Sequence, residues 1–468
     1  MSLFRTKSID LMLAQRADAG LVKSLTTLDL ILLGVGAVVG SGIFVLTGTG
    51  ALTAGPALSL SFVLAAVACF FCALAYAEFA STVPVAGSVY TYTYATLGEL
   101  VAWMVGWVLI LEFGLATAAV SAGWSGYFQS LIAGFGWHLP STLTAAPNAI
   151  PGRETVFNLP AFLVMTAITG LLSLGIKASK RVNNIMVAIK LAVVLLFIGV
   201  GVFHVKPENW QPYMPFGMQG VYTGAALMFY AFVGFDAVAS SAEEVRNPQR
   251  ALPRGILGSL FVCTVLYVSV AAIMTGIVPY TEFAQNLDHP VSLALQVAGQ
   301  GWLAGFIDLG AIIGMTTVIL VMGYGLTRIL YAMARDGLLP ASLATLHPRY
   351  ATPTRLTWTV GMASALIAGW VPLGVLAELI NIGTLAAFSL ISIAVVVLRR
   401  TRPDLPRGFR CPWVPVIPAL GVASCVFLMA HLGRVTWIAF GIWVVVGLVV
   451  YAMYSRQHSV LHNPGQPD

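Results

Sequence analysis

The chain has 468 residues, of which 58% are hydrophobic and only 9% charged, with a formal net charge of +6. Soluble domains carry about 25% charged residues, so water is excluded as the main solvent. Alternating ten-residue strands are absent, which argues against a membrane β-barrel, and loop asymmetry across a bilayer accounts for the basic excess better than nucleic acid does.

In chain order, a polar N-terminal segment comes first (residues 1–29, with Arg5, Lys7, Asp10, Arg16, Asp18 and Lys23) and shows no cleavable signal pattern. Apolar segments of the ~20 residues that a bilayer core demands are then predicted at 30–53, 57–81, 99–132, 157–176, 182–204, 220–242, 254–279, 303–333, 356–371, 374–398, 413–432 and 435–454. The third and eighth are long enough to run tilted, and the ninth is short. No low-complexity linker divides them. The expectation is an all-α membrane protein of about twelve transmembrane helices in a single domain over 1–468.

The basic residues set the orientation. Of the 24 Lys and Arg residues, 20 fall on the side that holds both termini, whereas Arg153, Lys206 and Arg434 fall on the other. That asymmetry makes the termini cytoplasmic. Two connectors on the same side have their own character. Residues 84–98, rich in tyrosine, read as a short amphipathic helix at the interface, and 243–254 form a charged link between spans six and seven. On the opposite face, 281–300 have room for a short capping helix.

Spans one and six carry interruptions. Span one contains Gly34, Gly36, Gly40 and Gly42, each weakening a helix by ~1 kcal/mol relative to alanine. One reading is close packing through Gly36 and Gly40. The other is an unwound stretch at Gly40-Ser41-Gly42, whose freed backbone groups must line a polar cavity because lipid cannot satisfy them. Span six offers a counterpart at Tyr230 through Asp236. Interrupted segments at matching depth in two halves point to a transporter's binding site, with 30–204 and 220–398 as inverted repeats and 413–454 appended.

Ionisable groups inside a membrane need a reason. Lys190 lies about 8 residues, or ~12 Å, inside span five. It either snorkels or, kept from water, exchanges a proton as a coupling group. Glu112, midway along span three, either lines a cavity or pairs within the bundle. Asp236 is expected to cap the half-helix that follows the break. Glu78 and Glu378, nearer helix ends, read as interfacial or bundle-pairing groups. The Cys69–Cys72 pair sits within an apolar helix and reads as two small apolar residues, with neither a disulfide nor a metal expected. Nucleotide loops, metal clusters and nucleophile triads are not seen, so neither an enzyme nor a cofactor is indicated.

Five separated motifs carry a resemblance: Gly40-Ser41-Gly42-Ile43-Phe44, Pro84 through Tyr90, Phe229 through Asp236, Glu243 through Pro253, and Arg335 through Pro340. With them the chain resembles the amino acid–polyamine–organocation superfamily, and within it bacterial members of the cationic amino acid transporter family, over residues 23–455. The resemblance implies a LeuT-type 5+5 inverted repeat with broken helices 1 and 6, two additional helices, and alternating access around a central site. It implies that the substrate's carboxylate meets the N–H groups of Ser41 and Gly42, and its ammonium the carbonyls of Val38, Tyr230, Ala231 and Val233. It also places Lys190 as the proton-coupling group, Glu112 beside the substrate side chain, and Thr316, Thr317 or Met322 along the site, where a bulky Met322 favours a small neutral amino acid. The function so implied is import of L-amino acids across the cell membrane by proton symport, the partners being substrate, protons and the bilayer. The alternative is an exchanger of the same fold.

Overall fold

The computed structural model describes residues 5–9, 25–84, 88–150, 154–175, 180–285, 287–350 and 352–460. Asp10, Arg16, Asp18, Lys23, Arg153, Lys177 and the 85–87 part of the second motif lie outside them. Among the described residues the chain is helical, with a single parallel bridge between Leu25 and Val245.

Helix α1 (Thr27–Val38) starts at a capping box in which Thr26 and Asp29 exchange side-chain and backbone hydrogen bonds. It ends at Val39, whose backbone is extended, and the chain resumes as α2 (Ser41–Phe44) and α3 (Leu46–Ala54). The interruption therefore falls at Val39–Gly40, overlapping the expected triplet at Gly40 and one residue earlier than expected. A turn at Gly55–Ala57 leads into α4 (Leu58–Thr82), and α5 (Ser88–Thr96) is the short tyrosine-bearing connector helix. The bundle continues with α6 (Glu99–Ala133), α7 (Leu159–Ser173), α8 (Lys180–Gly201) and α9 (Gly217–Met228).

After α9 the backbone tightens into a 3-10 turn, Phe229–Phe232, then extends at Val233 and turns through Gly234 at φ +110° before the short α10 (Ala237–Ser240). A Cβ at Gly234 would stand 3.2 Å from the Ala37 carbonyl oxygen and 3.0 Å from Met322 Cε, so glycine is required by both conformation and space. The remaining helices are α11 (Pro248–Ile277), α12 (Pro290–Val297), α13 (Gly301–Arg335), α14 (Thr354–Trp370), α15 (Leu373–Thr401), α16 (Val416–Ala430) and α17 (Arg434–Val450). The expected capping element between spans seven and eight is thus the turn Tyr280–Gln285 followed by α12.

Among the described residues eight helical stretches have the length and apolarity to cross a bilayer, and Thr27–Val38, Leu159–Ser173 and Val416–Ala430 are shorter apolar helices. The two 35-residue helices, α6 and α13, pack along each other and form the spine. The pairs α4–α11, α6–α15 and α1–α11 surround it, while α17 keeps most of its apolar surface exposed, as a lipid-facing helix does. On the face carrying the termini, buried Glu78 of α4 accepts from Arg399 of α15 at 2.6 and 2.8 Å, from the Cys411 backbone N–H at 2.7 Å, and faces Arg407 at 3.4 Å. On that face Asp336, within the fifth motif, holds Lys7 at 3.0 Å and the Tyr90 hydroxyl at 2.8 Å.

Candidate functional site

The two interruptions meet in the interior. A Cβ on Gly42 would fall 2.5 Å from Ala231 Cα, so the start of α2 rests directly on the span-six turn. Ser41 Oγ and the Tyr230 hydroxyl are 2.7 Å apart, both buried. As the first residues of a helix, Ser41 and Gly42 have N–H groups with no carbonyl one turn back. They are outward-pointing donors at the base of the junction, the chemistry an anionic group needs.

The carbonyls around it are partly committed. The Val38 oxygen accepts from the Tyr267 hydroxyl at 2.9 Å, and the Tyr230 oxygen from the Val233 N–H at 3.2 Å. Ala231 and Val233 stand in the same turn, buried beside them. Met322 of α13 touches the junction at Gly234. Thr316 instead accepts from the Trp124 indole N–H at 3.0 Å, and the Thr317 hydroxyl donates to the Gly314 carbonyl of its own helix. Met322 is thus a span-eight residue that packs against the span-six turn.

Lys190 is fully buried, and its ammonium Nζ donates to the carbonyls of Gly36 and, at 3.0 Å, Val39. Those are the last turn of α1 and the residue at which that helix stops. Snorkelling is ruled out by this geometry, because the side chain points into the bundle.

Glu112 is buried, and neither carboxylate oxygen has a hydrogen-bond partner among the described residues. It is close enough to Asp236 for their charges to interact, with Thr384 of α15 nearby. The expected cap at Asp236 is not formed: its backbone is already helical, at φ −71° and ψ −20°, and its side chain makes no capping hydrogen bond. A carboxylate caps from an extended residue, so that geometry turns Asp236 away from the role. Glu378 pairs as expected within the bundle, accepting from Thr436 and the Gly433 N–H.

Three supporting residues escaped the sequence reading. Tyr267 holds Val38, Tyr127 donates to the Phe44 carbonyl at 2.6 Å, and Asn381 donates to the Ala226 and Leu227 carbonyls at 2.7 and 3.1 Å. All three satisfy carbonyls at or near a helix break. A polar side chain inside an apolar span was the available signal, since it must find such a partner.

The comparison with known proteins adds a family model, amino acid permease, which matches residues 25–451. The chain belongs to that family. It is 62% identical over 462 residues to a branched-chain amino acid permease of Bacillus subtilis, covering 98% of this chain and 99% of that one. It is 52% identical, at the same coverage, to a methylthioribose transporter of the same organism. A branched-chain amino acid permease of Lactococcus lactis is 35% identical, over 96% of this chain and 98% of its own. This family member is a multi-pass membrane transporter and not an enzyme.

Proposed function

We propose that the chain imports branched-chain L-amino acids across the cell membrane by proton symport, as one transporter domain over residues 1–468 with its termini in the cytoplasm. The observation that carries the reading is Lys190 Nζ on the Gly36 and Val39 carbonyls, beside the break that offers Ser41 and Gly42 N–H groups to a carboxylate. A protonated lysine supplies donors to carbonyls that the end of α1 leaves without helix partners. Loss of that proton removes the attraction and frees α1 to move against α8. Alternating access in a LeuT-type 5+5 arrangement, with α1–α3 and α9–α10 as the broken helices, would turn that release into inward or outward opening.

The substrate class follows from two features. The break-lined junction suits the carboxylate and ammonium of an amino acid, through Ser41, Gly42, Val38, Tyr230, Ala231 and Val233, and the contact of Met322 suits an apolar side chain. The Bacillus relative at 62% identity is named for the same substrates. The test is uptake of radiolabelled leucine into proteoliposomes empty of substrate, under an imposed acid-outside gradient, with arginine and methylthioribose as competitors. Concentrative leucine uptake supports symport; uptake seen only after preloading with amino acid makes the protein an exchanger. Stronger competition by methylthioribose than by isoleucine would overturn the substrate assignment.

A further inference from the structure

On the face opposite the termini, the ends of α6 and α13, the segment 134–150 and the approach to α12 enclose a cavity of about 780 Å³. Asp308 of α13 lines it, although only 3% of its surface is exposed. One carboxylate oxygen, Oδ2, accepts from Ser130 at 2.7 Å. The other, Oδ1, has no hydrogen-bond partner among the described residues, and neither does the Ser292 hydroxyl, which is completely buried on α12. Ser292 stands close enough to act on this carboxylate, yet a carboxylate removed from water with only two neutral hydroxyls beside it still lacks a counter-charge.

Among the described residues no lysine or arginine in the lining supplies one. The described lining of the cavity also includes a second carboxylate, Asp288, and the imidazole of His138. His289 also lines it, and burial pushes that imidazole down to about 4, so it is neutral at physiological pH. The described lining therefore holds two carboxylates and no lysine or arginine to offset them. Exposed Phe135, Trp137 and Trp302 stand in the same wall and offer ring faces, which attract cations. An interfacial aromatic belt explains those rings alone, but leaves Asp308 unexplained. Among the described residues no group of three His, Cys, Asp or Glu side chains converges as a metal site would require, and the space far exceeds a bare ion.

We propose that this cavity is a second binding site, taking an organic ammonium ion whose head pairs with Asp308 and whose apolar body lies against the aromatic wall. An amine and the ammonium end of a free amino acid share that chemistry. The site contains none of the residues of the two helix breaks, so it stands whether or not the central transport reading does. Its occupant would nonetheless reach the transport helices. Tyr127, one turn along α6 from Ser130, donates to the Phe44 carbonyl and meets the His289 ring edge-on at a centroid separation of 6.4 Å.

The probe is isoamylamine, which is leucine without its carboxylate and so cannot use the Ser41 and Gly42 donors. Calorimetric titration of the full-length protein in nanodiscs compares the wild type with Asp308→Asn, Gly305→Leu and Gly42→Leu. Gly305 lines the cavity, and a Cβ there meets nothing within 4 Å, so the leucine fills the site without straining the fold. Isoamylamine should bind the wild type and Gly42→Leu alike, and bind at least tenfold more weakly to Asp308→Asn and Gly305→Leu. Asp308-dependent binding of leucine to Gly42→Leu would identify the occupant as an amino acid. Retention of the amine without leucine would identify it as an amine. The proposal fails if the wild type does not bind isoamylamine, if Gly305→Leu leaves its affinity unchanged, or if Gly42→Leu alone abolishes it. Should Asp308→Asn not fold, Gly305→Leu decides.

Discussion

Ser41 Oγ and the Tyr230 hydroxyl lie 2.7 Å apart and tie the start of the span-one half-helix to the turn in span six. These two residues are 189 positions apart, and they bring the interrupted segments of the two halves to one point. Tyr230→Phe removes the bridge and keeps the ring. A net hydrogen bond is worth about 1 kcal/mol, so leucine affinity should fall roughly fivefold. Equilibrium binding measures this, with thermal stability as the control; an unchanged affinity would make the bridge irrelevant to the bound state.

Gly42 tests the junction itself. A Cβ there stands 2.5 Å from Ala231 Cα, and a leucine cannot fit without separating the two breaks. Gly42→Leu should abolish leucine binding and uptake while the protein still inserts and purifies as a monodisperse species. Normal transport by this variant would move the substrate site elsewhere.

How much of this was legible beforehand differs by element. The glycine clusters at 34–42 and the Gly234–Asp236 sequence showed both interruptions, because few residues other than glycine permit backbones to approach so closely or take φ +110°. The exact stop at Val39 was not legible, since the Lys190 ammonium that satisfies that carbonyl comes from α8, 151 positions away. Asp236 was misread for a related reason. Spacing alone placed it at the head of a helix, whereas the backbone is already helical there and the side chain lies near Glu112. Tyr267, Tyr127 and Asn381 serve carbonyls far away in sequence, a pairing that only the packed bundle defines.

The Glu78–Arg399 pair gives a stability prediction. Glu78 is wholly buried, and Arg399 supplies two of its hydrogen bonds while also donating to the Cys411 carbonyl at 2.7 Å. Arg399→Met leaves the carboxylate with the Cys411 N–H and with Arg407 at 3.4 Å. Removing one partner from a buried ion pair costs about 3–5 kcal/mol, and the exposed edge of Arg399 and the remaining arginine put this case at the lower end. The melting temperature in detergent should drop by several degrees. Leucine affinity of the surviving folded protein should be unaltered, because the pair touches neither helix break.

Glu112 stands apart from that structural pairing, with both oxygens unpartnered among the described residues and Asp236 as its charged neighbour. Two carboxyl groups in one apolar interior favour a cation between them or a proton on one of them. Glu112→Gln keeps the shape and removes a negative charge. The ratio of leucine to lysine uptake should shift toward leucine by roughly tenfold, equivalent to about 1.4 kcal/mol of differential binding. An unchanged ratio, with wild-type expression, would assign Glu112 to the packing of α6 against α15.

Lys190 carries the coupling proton in this reading, and its position makes a strict prediction. Protonated, its ammonium is held by the Gly36 and Val39 carbonyls, which couples α8 to the end of α1. Deprotonated, it has fewer donors for the same oxygens, and the contact weakens. A group satisfied in only one arrangement of the helices biases the equilibrium between arrangements by that difference in free energy. Lys190→Met keeps most of the length of the side chain and removes both the charge and the titration. The variant should still bind leucine and exchange it across the membrane. It should lose accumulation driven by an acid-outside gradient, by roughly tenfold or more if the contact shifts the equilibrium by about 1.4 kcal/mol. Wild-type uptake should rise as external pH falls at a clamped membrane potential, and the variant's should stay flat. Concentrative uptake by Lys190→Met with the wild-type pH profile would make this a structural lysine and require another proton carrier.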